Sequence, residues 1–230
     1  ISMPRNLRLG AILLLIAALI SGAYTGYCYH RDRTPEAALQ QIARAVTTED
    51  RQLFDAYVDT DAVLTSMHAD MTALLADNIA TLHERHPHDW FFRHDSAFMR
   101  AYMAEHRTEQ IDYARAVLDF YLDVARVPVT REDGNARWGS DEMRAFAAHY
   151  TMRLEPAVIT GDRATVDLAV HGDDTDYGRL LPAGSVTMEL TRQSDGHWKL
   201  TRIHTDTART DGFYAFVDAA ERYWDLQGWD

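Results

Sequence analysis

Cysteine is almost absent: Cys28 is the only one in 230 residues, so no disulfide can form within the chain and packing alone must hold its core. Positive charge is also in short supply, with 35 acidic residues against 23 basic ones and a formal charge of −12. Among the basic residues only Lys199 is a lysine. Residues 1–33 carry four arginines and one aspartate, a net of +3, which leaves −15 on the rest. So acidic a body repels phosphate backbones, and no nucleic-acid partner is expected. The chain has no G-x-S-x-G elbow, phosphate-binding loop, HExxH pair or paired CxxC, and no cofactor is expected. Internal repeats and low-complexity tracts are missing too.

Long apolar runs are rare, with one exception. "LGAILLLIAALISGAYTGYCY", Leu9–Tyr29, is 21 residues without a charge. A helix of that length spans a hydrocarbon core of roughly 30 Å. Read from Met3, the leader "MPRNLR" keeps Arg5 and Arg8 on the cytoplasmic side. The expectation is a single-pass anchor in a bacterial cytoplasmic membrane, with residues 1–33 as leader and anchor and residues 34–230 outside the cytoplasm. The alternative is a signal peptide cut near Ala23, where Ser21-Gly22-Ala23 supplies small residues, giving a secreted or periplasmic body. Tyr27 is too bulky for a lipid-attachment motif at Cys28.

Periodicity divides the body into a helical front and a stranded back. Thr34, Pro35 and Glu36 open a helix carrying Leu39, Ile42, Ala43 and Val46. A short helix fits Asp50–Val58. After Asp61 the set Leu64, Met67, Met71, Leu74, Leu75, Ile79 and Leu82 holds one helical stripe, ended by Pro87. Another helical stretch covers about 96–126 with a break near Arg107-Thr108. "PVTREDGNARWGS" reads as a loop, with Ser140 capping a short helix from Asp141 to about His149. From Tyr150 the period becomes two, and about four antiparallel strands follow, with "TGDR" and "QSDG" as turns. A last amphipathic helix, Gly212–Leu226, places Phe213, Phe216, Val217, Ala220, Tyr223 and Trp224 on one side. Helices first and strands after them predict an α+β fold in which helices pack on a curved antiparallel sheet.

"ITGDRATVDLAV" followed by "SVTMELTRQSDGHWKLTRI", together with the opening "TPEAALQQIARAVTTEDRQLFDAYVDTDAVL", resembles the nuclear-transport-factor-2-like superfamily, in particular its membrane-anchored bacterial members of unknown function. The resemblance implies a cystatin-like cone of sheet around helices over Thr34–Leu64 and Tyr150–Thr205. It leaves about 65–149 as a large helical insertion. Members with enzymatic activity use Asp, or Asp with His, inside the cone. The carboxylates at hand are Asp55, Asp59, Asp61 and Asp167, beside Tyr57 and His204, and each has an ordinary capping, packing or surface reading. The functional expectation is therefore a binding or protein-interaction module of the cell envelope with a membrane-bound anchor and an envelope protein as partner. The alternative is a small-molecule-binding or proton-transfer enzyme using a pocket in the cone. Tyr223, Trp224 and Trp229 form the candidate interaction surface, since interfaces favour such residues. A further alternative is metal binding by the stretch "HERHPHDWFFRH". There His83, His86 and His88 are the candidate ligands, with His106 or His149 as a fourth, because a tight zinc site needs three or four converging donors. Trp90, Phe91 and Phe92 of that stretch are expected to plug the core.

Overall fold

The computed structural model describes residues 33–122, 134–204 and 210–227. The expected anchor, Leu9–Tyr29, lies outside them. Among the described residues no helix is long and apolar enough to cross a membrane.

Helix α1, Pro35–Thr47, starts as its sequence dictates: Thr34 is extended and its hydroxyl accepts from the Ala37 amide at 3.1 Å. Helix α2, Arg51–Tyr57, is capped by Asp50, which accepts from Leu53. Helix α3, Thr60–Arg85, is one uninterrupted element of 26 residues capped by Asp59. It stops at His86, the residue before Pro87, as the proline requires. Position 65, where the helical insertion was expected to begin, lies inside this helix. A 3₁₀ turn, Phe91–Arg93, leads to α4, Ser96–Glu105, and to α5, Arg107–Leu122. Helix α6 is Gly134–Ala147 and α7 is Thr210–Gln227.

The strands are β1 Tyr150–Leu154, β2 Val158–Thr160, β3 Arg163–Gly172, β4 Ala183–Arg192 and β5 Trp198–His204. They form one curved antiparallel sheet in the order β1-β3-β4-β5, with β2 also paired to β3. The expected four strands become five because Pro156 interrupts the first. Leu154 pairs with Leu168, but Val158 pairs with Thr165, so four steps on one strand oppose three on the other. Proline offers no amide to the ladder, and the extra residue is taken up as a bulge. At the other side of the sheet Val58 forms a parallel bridge to Leu200, and the Asp59 amide donates to the Leu200 carbonyl at 2.8 Å.

Two apolar clusters share α3. The first lies between α1, α2, the start of α3 and the sheet, around Phe54, Val63, Val166, Leu190, Trp198 and Leu200. The buried residue at the start of α3 is Val63. The expected stripe residue Leu64 is only half-buried. The second cluster joins the end of α3 (Leu75, Ala76, Ile79, Leu82) to Phe92, Met99, Met103, Phe213 and Val217.

Two expectations fail here for physical reasons. Phe92 is buried and Phe91 packs beside it, but Trp90 is 60% exposed, because it caps the 3₁₀ turn from outside while the turn aims the two phenylalanines inward. Of the segment read as a loop, "PVTREDGNARWGS", residues 128–133 lie outside the described residues, Gly134–Ser140 form the first half of α6, and Ser140, expected as a cap, is buried in mid-helix. Gly134, Asn135 and Gly139 look like turn formers. Tertiary packing decides otherwise, since a Cβ on Gly139 would stand 2.7 Å from the Tyr113 hydroxyl. The glycine is there so that α6 can lie close against α5.

Candidate functional site

An apolar groove of about 330 Å³ runs between α6 and α7 and is lined as well by Leu181, which precedes β4. Each wall is one helical face. On α6 the residues Trp138, Gly139, Glu142, Met143 and Phe146 recur at spacings of three and four, and on α7 Phe216, Ala219, Ala220 and Tyr223 do the same. The two alanines leave the width that the aromatic groups line. Phe216 is 53% exposed, Met143 40% and Trp138 37%, which is unusual for side chains this large gathered at one place. Among the described residues, Glu142 is the one charged side chain lining the groove, and the Tyr223 hydroxyl donates to its carboxylate.

The aromatic wall continues behind the groove. Tyr223 meets Phe146 edge-on at 6.2 Å, Phe146 stacks on Tyr150 at 4.6 Å, and the Tyr150 hydroxyl donates to the Tyr177 carbonyl at 2.7 Å. His149 stacks on Tyr177 at 5.3 Å. Its Nδ1 lies 3.0 Å from both Asp173 and Thr175. The Thr175 hydroxyl, and after it His149, holds the exposed Asp173 carboxyl below its ordinary value. These contacts brace the loop between β3 and β4, whose backbone closes so tightly that a Cβ on Gly172 would stand 1.9 Å from the Gly178 carbonyl oxygen.

Helix α7 is fixed by polar contacts on the side away from the groove. The Tyr214 hydroxyl donates to Asn78 at 2.8 Å, Arg222 donates to the Leu180 carbonyl at 2.9 Å, and Asp218 accepts from Arg85. His86 completes that group, with its Nε2 2.9 Å from Asp218. Arg85 is the main cause that lowers the Asp218 carboxyl, burial opposes it, and His86 adds to the lowering.

The three histidines read as candidate metal ligands are therefore not brought together. His86 faces Asp218, whereas His83 and His88 are exposed. His106 lies at the end of α4, stacked on Tyr102 at 4.2 Å, and His149, just before β1, faces Asp173 of the β3–β4 loop. Among the described residues no three His, Cys, Asp or Glu side chains form a group that could hold a metal ion. The carboxylates considered for proton transfer are engaged elsewhere. Asp59 caps α3, Asp55 pairs with Arg51 at 2.9 Å, Asp61 with Arg115 at 2.8 Å, and Asp167 accepts from Thr187 at 2.6 Å. Tyr57 packs on the first cluster, and His204 sits 3.4 Å from Glu189.

Of the three residues read as an interaction surface, Tyr223 lines the groove. The Trp224 side chain and Trp229 lie outside the described residues. The apolar side of the last helix, with Phe213, Phe216, Val217, Ala220 and Tyr223, is divided between two surroundings. Phe213 and Val217 are buried in the second cluster, while Phe216, Ala220 and Tyr223 turn to the groove. Comparison with family models, curated proteins and solved structures finds no match.

Proposed function

We propose that this chain is a binding module without a catalytic role, held outside a bacterial cytoplasmic membrane by residues 9–29, and that the α6–α7 groove is its binding surface. The observation that carries the reading is the groove itself. Its volume falls in the range of small-molecule sites, its lining is almost wholly apolar and aromatic, and one polar pair is set into it. The resemblance of the strand pattern to the nuclear-transport-factor-2-like superfamily, whose membrane-anchored members place such a domain outside the membrane, supports the compartment.

The position of the groove suits an anchored binder. Arg33, the first described residue after the proposed anchor, lies against the turn between β4 and β5, where its carbonyl accepts from the Trp198 indole at 3.1 Å. The groove lies by Leu181, just before the opposite end of β4. Ten residues of strand at about 3.4 Å each separate those ends by roughly 30 Å. A ligand would then be taken up at the end of the domain farther from the membrane.

Two measurements test the proposal. Protease added to intact spheroplasts is expected to digest the body after Arg33; digestion only after the membrane is opened refutes the compartment. A photoreactive phenylalanine at position 216 is expected to yield, in cells, an adduct of defined mass that the same group at exposed Arg163 does not give. Identical labelling from both positions refutes the binding surface.

A further inference from the structure

We infer that the groove takes an organic cation with an apolar body, of the quaternary or alkylated ammonium class; this rests on the reading of the groove as the binding surface. Four aromatic side chains, Trp138, Phe146, Phe216 and Tyr223, line the same small space as a single carboxylate, Glu142, with the Met143 thioether beside them. Aromatic faces carry negative potential, and rings gathered around one site attract a quaternary ammonium group, which has no N–H to donate, and an alkylated one with few such donors. An apolar neutral ligand would need the rings but gains nothing from a carboxylate, and an anionic one would be repelled by it. Glu142 is oriented for this task, because the Tyr223 hydroxyl donates to one oxygen and leaves the charge in the groove. Arg222, which flanks α7 beyond Tyr223, is turned away to the Leu180 carbonyl. Arg144, on the other face of α6, packs over Tyr121 at 4.4 Å and pairs with Glu49 at 3.1 Å. Neither cation lines the groove. The body's surplus of acidic over basic residues draws cations toward it from a distance.

The test is calorimetric titration of the full-length chain in a non-ionic maltoside detergent with benzyltrimethylammonium and, separately, with neopentylbenzene, which has the same shape and no charge. The cation is expected to bind about tenfold more tightly, the scale of one desolvated cation–π contact with a carboxylate nearby. Glu142→Gln, which keeps an acceptor for Tyr223, is expected to remove most of that preference while leaving the neutral compound unchanged. Phe216→Ala is expected to weaken both. Equal binding of the two compounds, or a preference that Glu142→Gln does not alter, overturns the cation inference and leaves the groove as a binding surface. Failure of both compounds to bind, in a chain whose circular dichroism shows it folded, overturns the inference and the groove together.

Discussion

The two apolar clusters of this domain are built on opposite plans. One wall of the sheet cluster is made of strands consecutive in sequence: β3, β4 and β5 pair in order, and their residues Val166, Met188 and Leu190 pack with α1 and α2 from the other end of the chain. The helical cluster has no strand in it: it draws on one stretch of consecutive helices, Leu75–Leu82, Phe92, Met99 and Met103, and on Phe213 and Val217, which follow the sheet in sequence. Only α3 belongs to both, packing Val63 and Met67 into one and Ile79 and Leu82 into the other. A rigid helix shared by two cores couples them, so the expectation is a single cooperative unfolding transition rather than two. The groove stands on the helical side, where α7 is both a wall of the site and part of the core beneath it.

The largest change is expected at Trp198, fully buried in the sheet cluster and donating its indole N–H to Arg33. Trp198→Ala is expected to destabilise by about 3–5 kcal/mol. In urea, circular dichroism of the helices and near-ultraviolet signals should move together; a helical signal that survives loss of the sheet would break the coupling. Leu82→Ala, with Leu82 wholly buried at the other end of α3, is expected to lose about 2–5 kcal/mol in the same single transition.

Asp218→Asn probes the joint between α7 and α3 and is expected to lose up to about 1 kcal/mol near neutral pH, since the ion pair is only partly buried. Arg85, and less strongly His86, hold the Asp218 carboxyl below its ordinary value of about 3.9, against the effect of burial. A lowered carboxyl contributes stability above that value, and the contribution is lost as the pH falls further. The variant should therefore differ from the parent at pH 6 and converge with it in strong acid; a constant difference across the range would show that the charge is not the cause.

Glu221, one turn further on, has the opposite sign and the smallest effect. Burial raises its carboxyl, Asp89 adds to this and His86 opposes it. The folded state then holds the proton more tightly than the unfolded chain, so stability falls as the pH rises through the ordinary carboxylate range. Glu221→Gln is expected to gain about half a kcal/mol or less at neutral pH, read as a higher urea midpoint with an unchanged slope. A lower midpoint would reverse the assignment.

The sheet cluster was largely legible because its signals are local. Thr34 and Pro35 announce a helix start, Pro87 an end, and the alternation from Tyr150 onward gives strands and their inner face. The helical cluster was legible only as separate stripes. Periodicity showed that the last helix is amphipathic, but it could not divide Phe213 and Val217, which enter the core, from Phe216 and Tyr223, which leave it, because that division depends on where α6 lies. Helix α6 itself was half hidden. Gly134, Asn135 and Gly139 favour turns in isolation, and for Gly139 only the approach to Tyr113 explains its place in a helix. The groove escaped the sequence for the same reason: its two walls are some seventy residues apart, and neither is unusual alone.

The interruption at Pro156 has a bearing on how the molecule behaves in a crowd. Strands β1 and β2, each paired to β3, form a border of the sheet on which no further strand is laid among the described residues, and it is greasy, with Met152, Leu154, Val158 and Ile159 exposed. Such a border invites a second polypeptide to add itself as a further strand and begin aggregation. Here the would-be template is two short pieces rather than one long one, set out of phase by an extra residue, with no amide at the proline and with charged Arg153 and Glu155 beside the break. An incoming strand could match one piece but not both. The same proline that spoils the ladder inside the fold keeps the molecule from becoming the seed of an aggregate.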